Sequence, residues 1–198
     1  MSDADRRRRP GAVAALGSLL LVGLFVAAGP AAAQPKSALK DLMGVYLGRV
    51  TVRDLDTQKT EERDIDVEVR PFERNGFRIR WTNVTLVDGR RNVPGVKRRV
   101  SELAFRPARG GAFYVEAPQV DVFVEREETT PMGGDPVRWA VNDAAGLHVY
   151  SFTILDDGRY ELQSYSRRRT AGGIDLRYER VVDGRTLRTI EGAAVKIE

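Results

Sequence analysis

Few residues of this sequence could act as a nucleophile, its base or a metal ligand, because its 198 residues include one histidine and no cysteine. His148 would have to belong to any Ser-His-Asp triad and to any histidine-ligated metal site. Zinc sites need three or four ligands, usually several of them His or Cys. The Gly-x-Ser-x-Gly nucleophile sequence of α/β-hydrolases does not occur. We therefore expect no enzyme activity, no metal and no cofactor, and we interpret His148 as a strand residue that faces solvent or is hydrogen-bonded in a wall.

Three carboxylates, Asp64, Asp66 and Glu68, alternate along one short stretch of the chain. On one face of a strand their neighbours would be about 7 Å apart, a separation that suits paired acid and base groups. The intervening Ile65, Val67 and Val69 indicate a simpler interpretation, in which the carboxylates form the wet face of a half-buried strand. We favour that interpretation.

Two basic runs, Lys97-Arg98-Arg99 and Arg167-Arg168-Arg169, are the densest positive charges in the mature chain. Charge at strand ends or edges prevents one sheet from pairing with another, and we expect both runs to lie there. Binding to an anionic membrane surface is the alternative.

Large aromatic side chains are the best candidates for a ligand site, because they wall or fill the interior of a barrel. We predict that six of them line the interior and contact a ligand: Trp81, Trp139, Tyr46, Phe77, Tyr150 and Phe152.

Period-two alternation of apolar residues dominates the mature chain and predicts β-strands. The alternating residues are Ile65, Val67 and Val69; Phe77, Ile79 and Trp81; Val137, Trp139 and Val141; Leu147, Val149 and Ser151; Tyr160 and Leu162; and Ile174, Leu176 and Tyr178, with a last strand from Thr186 to Ile197. A short helical turn is expected before them, through Leu42.

Glycine-containing turns separate these runs and supply the positive φ angles that tight hairpins require. They lie at Asn75-Gly76, Asp88-Gly89, Gly110-Gly111, Gly146, Asp157-Gly158, Gly172-Gly173 and Asp183-Gly184. A meander of this kind removes its exposed edges by closing on itself. We predict an all-β, antiparallel up-and-down β-barrel of about 8–10 strands; a β-sandwich is the alternative.

The stretch from Ala117 to Pro136 interrupts this pattern of strands and short turns, since it contains three prolines and the Gly133-Gly134 pair. Its length indicates either a functional loop or a solvated excursion at an edge. Alternating valines in its first half predict a strand or a flap across the barrel mouth.

The first 33 residues have the pattern of a signal peptide. Arg6 to Arg9 precede the uncharged run Ala12–Ala28, and Pro30 and Ala31-Ala32-Ala33 follow it. We therefore predict cleavage after Ala33 and one barrel domain at 34–198 in the periplasm; an uncleaved leader would anchor that domain to the membrane.

Net charge gives little support for a nucleic-acid partner. The formal charge is +4, but four of the 32 basic residues and two of the 28 acidic ones belong to the leader, so the mature chain carries only +2. The remaining charges are interleaved rather than clustered, and export removes the chain from nucleic acid. We exclude that partner class.

The opening Gly44-Val45-Tyr46 resembles the Gly-x-Trp start of calycin barrels, the lipocalin and fatty-acid-binding group, with Tyr46 in the Trp position. In those families the aromatic plugs the closed end of the barrel beside a basic residue from a late strand. The resemblance implies Arg177 or Arg180 for that role. The chain is also similar to small uncharacterised exported barrel proteins of Gram-negative bacteria.

These observations leave two functions open. The first is a periplasmic, lipocalin-like barrel that binds a small, mainly apolar ligand. The second is a non-enzymatic structural or interaction protein of the cell envelope whose barrel is filled. A cavity lined by the aromatics would favour the first. The sequence does not determine the oligomeric state.

Overall fold

A computed structural model describes residues 39–117 and 130–198 of the chain. A 3₁₀ turn at Leu39–Leu42 confirms the helical turn predicted through Leu42, and a second 3₁₀ turn lies at Pro131–Gly133. The strands of these ranges are β1 (Gly44–Asp54), β2 (Lys59–Phe72), β3 (Gly76–Thr85), β4 (Lys97–Pro107), β5 (Tyr114–Glu116), β6 (Val137–Asn142), β7 (Gly146–Ile154), β8 (Tyr160–Arg169), β9 (Gly173–Val182) and β10 (Arg185–Lys196).

The strands form a closed antiparallel barrel in which each strand pairs with its neighbours in the chain. Closure comes from β1, which pairs with β2 on one side and with β10 on the other, for example at Val50 opposite Gly192. Closure leaves no free sheet edge in the barrel, which is the physical reason a meander of this length curls on itself. The predicted up-and-down barrel is confirmed.

Hairpin turns lie where the Asp-Gly and Asn-Gly pairs predicted them. Asp183 and Gly184 form the two-residue connection between β9 and β10, with φ angles of 48° and 79°. Two consecutive positive φ angles match the twist of the flanking strands, and few residues other than Gly, Asn and Asp adopt them at low cost. Asn75, with φ 65°, is the last residue of the connection between β2 and β3, and Gly76 begins β3.

The inner face of the barrel follows the alternation of the sequence in β2, β3 and β9. Val67 pairs with Trp81, and Val69 pairs with Ile79, so these four residues share the inner face. The predicted inward residues of β9 are confirmed in the same way by Ile174, which is almost fully buried.

Apolar side chains fill the end of the barrel at which β1 begins and β10 ends. Tyr46, Phe77 and Phe105 are fully buried there, and the Phe77 and Phe105 rings stack with centroids 5.0 Å apart. Leu42, from the first 3₁₀ turn, is buried in the same cluster. This end is therefore closed by a packed core.

The predicted strand or flap in the first half of the Ala117–Pro136 stretch falls largely on residues 118–129, which lie outside the described residues. Within the described ranges, no helix has the length and apolar character that a bilayer span requires.

Candidate functional site

A cavity of about 380 Å³ occupies the other half of the barrel interior. Both apolar and polar side chains form its wall. The apolar and aromatic side chains are Val50, Ile65, Trp81, Tyr165, Leu176, Tyr178 and Ile190, and the polar ones include Arg63, Asn83, Arg99, Ser101, Glu161, Gln163, Arg167, Arg180 and Arg188. The site is therefore amphipathic rather than mainly apolar.

An aromatic cluster forms one side of the cavity. The ring centroids of Trp81 and Tyr165 are 5.8 Å apart, and those of Tyr165 and Tyr178 are 4.7 Å apart. The Tyr165 hydroxyl donates to Oε1 of Gln163 at 2.6 Å. Burial raises the pKa of Tyr178 far above its ordinary value, so this phenol stays neutral.

Three arginines of the cavity wall are paired with carboxylates. Arg180 donates to Glu161 at 2.6 Å through Nη2, and Arg188 donates to Asp54 at 2.6 Å. Arg63 pairs with Glu61. These pairs leave the three guanidinium charges compensated.

The Glu161 carboxylate remains ionised in this setting although it is buried. Burial favours its protonated form, but hydrogen bonds from Arg180 and Gln163 outweigh that effect and hold the pKa of Glu161 below its usual value. The Glu161 carboxylate is therefore paired with Arg180.

Arg167 differs from Arg63, Arg180 and Arg188 in having no carboxylate partner among the described residues, although Arg63 and Arg188 also have a buried Nε without a partner. It is only 5% exposed, and its Nε and Nη1 atoms have no hydrogen-bond partner among the described residues. Its Cζ lies 5.8 Å from the ring centroid of Trp81 and 5.9 Å from that of Tyr165. These cation–π contacts favour the charge. Burial nevertheless lowers the pKa of Arg167 to about 10, because desolvation disfavours the guanidinium form.

Two of the six predicted ligand residues lie in the filled half of the barrel. Tyr46 and Phe77 are buried among apolar side chains, and the Tyr46 hydroxyl donates to the backbone carbonyl of Leu42 at 2.9 Å. Trp81 is the member of the six that lines the cavity.

The basic residue beside Tyr46 is not one of the two that the calycin resemblance implied. Lys196 of β10 places Nζ 5.9 Å from the Tyr46 ring centroid. Arg180 is bound to Glu161 in the cavity, and Arg177 pairs with Ser166 on the opposite face of the sheet from Leu176. The assignment to Arg177 or Arg180 was wrong because Arg177 lies on the outer face of β9 and Arg180, although on the inner face, lies in the cavity half of the barrel, away from Tyr46.

Trp139, Tyr150 and Phe152 lie on the outer wall instead of the interior. Trp139 is paired with Tyr150 in register, and their rings stack with centroids 5.2 Å apart. The next pair, fully buried Ala140 with Val149, occupies the inner face. The prediction that these three aromatics line the interior was therefore wrong.

Arg167 belongs to a basic run that was predicted to lie at a strand end. Arg167, Arg168 and Arg169 do end β8, as predicted, but alternation sends them to different faces. Arg167 points inward opposite Leu147, whereas Arg168 is exposed. The alternation of the sequence indicates that Leu147 faces inward, but its pairing with Arg167, which identifies Arg167 as an interior residue, is given by the structure.

The carboxylates of β2 form the outer face, as predicted. Asp64 accepts from Arg49 Nε at 2.9 Å, and Asp66 accepts from Arg91 Nη2 at 2.8 Å. Glu68 accepts from Arg70 at 2.8 Å. Ion pairs therefore occupy these carboxylates.

His148 is hydrogen-bonded in the outer wall, as the sequence interpretation held. Its Nδ1 lies 3.0 Å from Oγ of Ser166, and its Nε2 lies 3.4 Å from Oδ1 of Asp143. Oδ1 of Asp143 also accepts the backbone N–H groups of Ala145 and Gly146. The contacts of His148 with Ser166 and Asp143 thus link β7, β8 and the turn before β7.

Comparison with known proteins gives no family for this chain. A scan of protein-family models and a search of curated proteins both find no match. Among residues 39–117 and 130–198, no group of three or more His, Asp or Glu side chains is placed to hold a metal ion.

Proposed function

We propose that this chain is an exported, calycin-like barrel that binds a small molecule in its interior cavity and acts in the periplasm. The cavity of about 380 Å³ supports this function, since binding sites for small molecules are concave and commonly begin at about 300 Å³. The predicted leader supports the compartment.

The cavity wall favours an amphipathic ligand over the purely apolar one expected from the sequence. Ile65, Leu176 and Ile190 offer apolar surface, while Asn83, Ser101 and the paired arginines offer directional hydrogen bonds. An envelope protein with a filled barrel is the second candidate. A cavity is less expected for that role, so the observation favours binding.

A tryptophan placed in the cavity should remove binding of N-phenyl-1-naphthylamine, a neutral aromatic probe whose fluorescence increases in apolar surroundings. Ser101 is paired with Trp81 on β3 and lines the cavity, so Ser101→Trp fills space that the probe needs. We expect a loss of affinity of at least about tenfold, as for a lost apolar contact of 1.4 kcal/mol or more. Fluorescence titration measures it.

Ser164→Trp is the matched control, since Ser164 pairs with outward-facing Tyr150 across β7 and β8. It should bind the probe as the unchanged protein does, and circular dichroism should show that both variants are folded. An unchanged protein that does not bind the probe, or a Ser101→Trp variant that binds it equally well, would contradict the proposed function.

A further inference from the structure

The guanidinium of Arg167 is a buried charge that has no carboxylate partner among residues 39–117 and 130–198. A charged group with unsatisfied donors in a protein interior is costly, and such groups are rare unless they have a function. Nε and Nη1 lack partners among the described residues, and the side chain lines the cavity. A molecule inside the barrel therefore meets the guanidinium where the side chain lines the cavity, although Nε and Nη1 are themselves covered by protein atoms.

The surrounding charges define how much negative charge such a molecule needs. Glu161 is bound to Arg180, and Asp54 is bound to Arg188. Neither carboxylate hydrogen-bonds to Arg167. Arg99 and Arg177 also contribute atoms to the cavity wall, but both are exposed, so their charges are solvated. Arg167 is thus the buried positive charge left over in the described wall, and a single negative charge would balance it. A carboxylate also matches the fork of guanidinium donors in shape.

The remaining wall defines the rest of the molecule. Trp81 and Tyr165 flank the guanidinium, and Leu176 is paired in register with Arg167 across β8 and β9. An anion bound to Arg167 would therefore carry its other atoms against aromatic and aliphatic surface. A bare inorganic anion would leave that surface without a contact.

We propose that the ligand is a monoanionic organic acid whose carboxylate binds to Arg167 and whose apolar body packs against Trp81 and Tyr165. This inference rests on the proposed function, since it names the class of molecule that the cavity holds. Arg167 is the specificity-determining residue in this assignment, because it separates an acid from a neutral molecule of the same shape.

The test compares 4-bromobenzoate with 4-bromobenzamide, a neutral molecule of nearly the same shape, by isothermal titration calorimetry on the mature protein. We expect the acid to bind at least about tenfold more tightly than the amide, since hydrogen bonds to a charged group are among the stronger ones. In Arg167→Met the acid should lose at least about tenfold in affinity, while the amide should bind as before. Arg167→Lys keeps the charge but not the fork, so it should recover part of the affinity.

Arg168→Met is the control for removal of one arginine, because Arg168 is the exposed neighbour of Arg167. It should leave the binding of both compounds unchanged. Inorganic phosphate is titrated as well, and we expect no binding at concentrations that saturate the acid. Retained binding of the amide shows that Arg167→Met is folded, and Arg167→Lys provides a second variant if it is not.

Each alternative outcome overturns a different statement. Equal binding of acid and amide, or an acid affinity that does not depend on Arg167, would overturn the organic-acid assignment and leave the proposed function standing. Binding of phosphate that also depends on Arg167 would overturn the statement that the ligand has an apolar organic body, and it would leave the statement that the ligand is an anion. Failure of both bromobenzene compounds to bind the unchanged protein would overturn the assignment, and the separate neutral-probe titration decides the proposed function.

Discussion

Replacing Arg167 with Met should raise the free energy of unfolding of the ligand-free protein by about 1–3 kcal/mol at pH 7. Folding lowers the pKa of Arg167 from its ordinary value to about 10, which corresponds to a cost of about 3 kcal/mol for keeping the charge buried. The lost cation–π contacts with Trp81 and Tyr165 offset about 0.5–2 kcal/mol of that gain. Chemical denaturation at pH 7 measures the difference.

The pH dependence of this difference has a definite sign. A base whose pKa is lower in the folded state than in the unfolded state destabilises the fold at every pH below its folded pKa. The cost shrinks as the pH rises above about 10 toward the ordinary pKa of arginine, because the folded state then releases the proton first. The advantage of Arg167→Met should therefore be full at neutral pH and shrink above about pH 10.

Arg168→Met should change the free energy of unfolding by less than about 0.5 kcal/mol, since Arg168 is an exposed surface residue. If Arg167→Met instead lost stability by more than about 1 kcal/mol, Arg167 would be a structural residue held by its aromatic neighbours. That result would contradict the interpretation of Arg167 as a charge kept for binding.

Phe77→Ala should lower the free energy of unfolding by about 3–5 kcal/mol, the range for a large aromatic removed from a packed core. Phe77 has no exposed surface, stacks on Phe105 and meets Tyr114 edge to face with centroids 5.2 Å apart. Its removal leaves a void in the half of the barrel that closes one end. Urea unfolding followed by tryptophan fluorescence measures the change.

The matched control for this substitution is Phe113→Ala, which removes the same ring from a side chain that is 41% exposed. It should cost far less than Phe77→Ala because little packing is lost. Equal losses in the two variants would contradict the division of the barrel into a filled half and a cavity half.

The architecture could be predicted from the sequence because local signals and the global fold agree. Asp183-Gly184 specifies a hairpin, and Phe77, Ile79 and Trp81 specify one face of β3. Closure followed from the need of a meander to remove its edges. These signals are short-range, so one sequence was enough to reveal them.

The direction of the alternation was harder to predict where both faces of a strand are apolar. In β6, Val137, Trp139 and Val141 indicated the inner face, yet Ala140 occupies it. The inner position is opposite Tyr114, which packs against Phe77, so a small side chain fits there and a tryptophan does not. Such crowding comes from distant strands and has no local signal.

The polar interior of β8 was missed for a related reason. The apolar residues Tyr160 and Leu162 were expected on the inner face of β8. Glu161, Gln163 and Arg167, which alternate with them, occupy the inner face instead. An interior that alternates charged and aromatic residues does not follow the rule that apolar residues are buried. Departures of this kind are expected at functional sites, where a local rule is broken for the sake of binding.

The central claim is that Arg167 holds an acidic ligand inside the barrel, and crystals of the mature protein grown with 4-bromobenzoate test it most directly. Anomalous scattering locates the bromine atom without reference to the protein density. The account predicts a bromine peak within the cavity beside Trp81, with the carboxylate hydrogen-bonded to Arg167. Bromine peaks found only on the outer wall, for example on the stacked Trp139 and Tyr150, would contradict it.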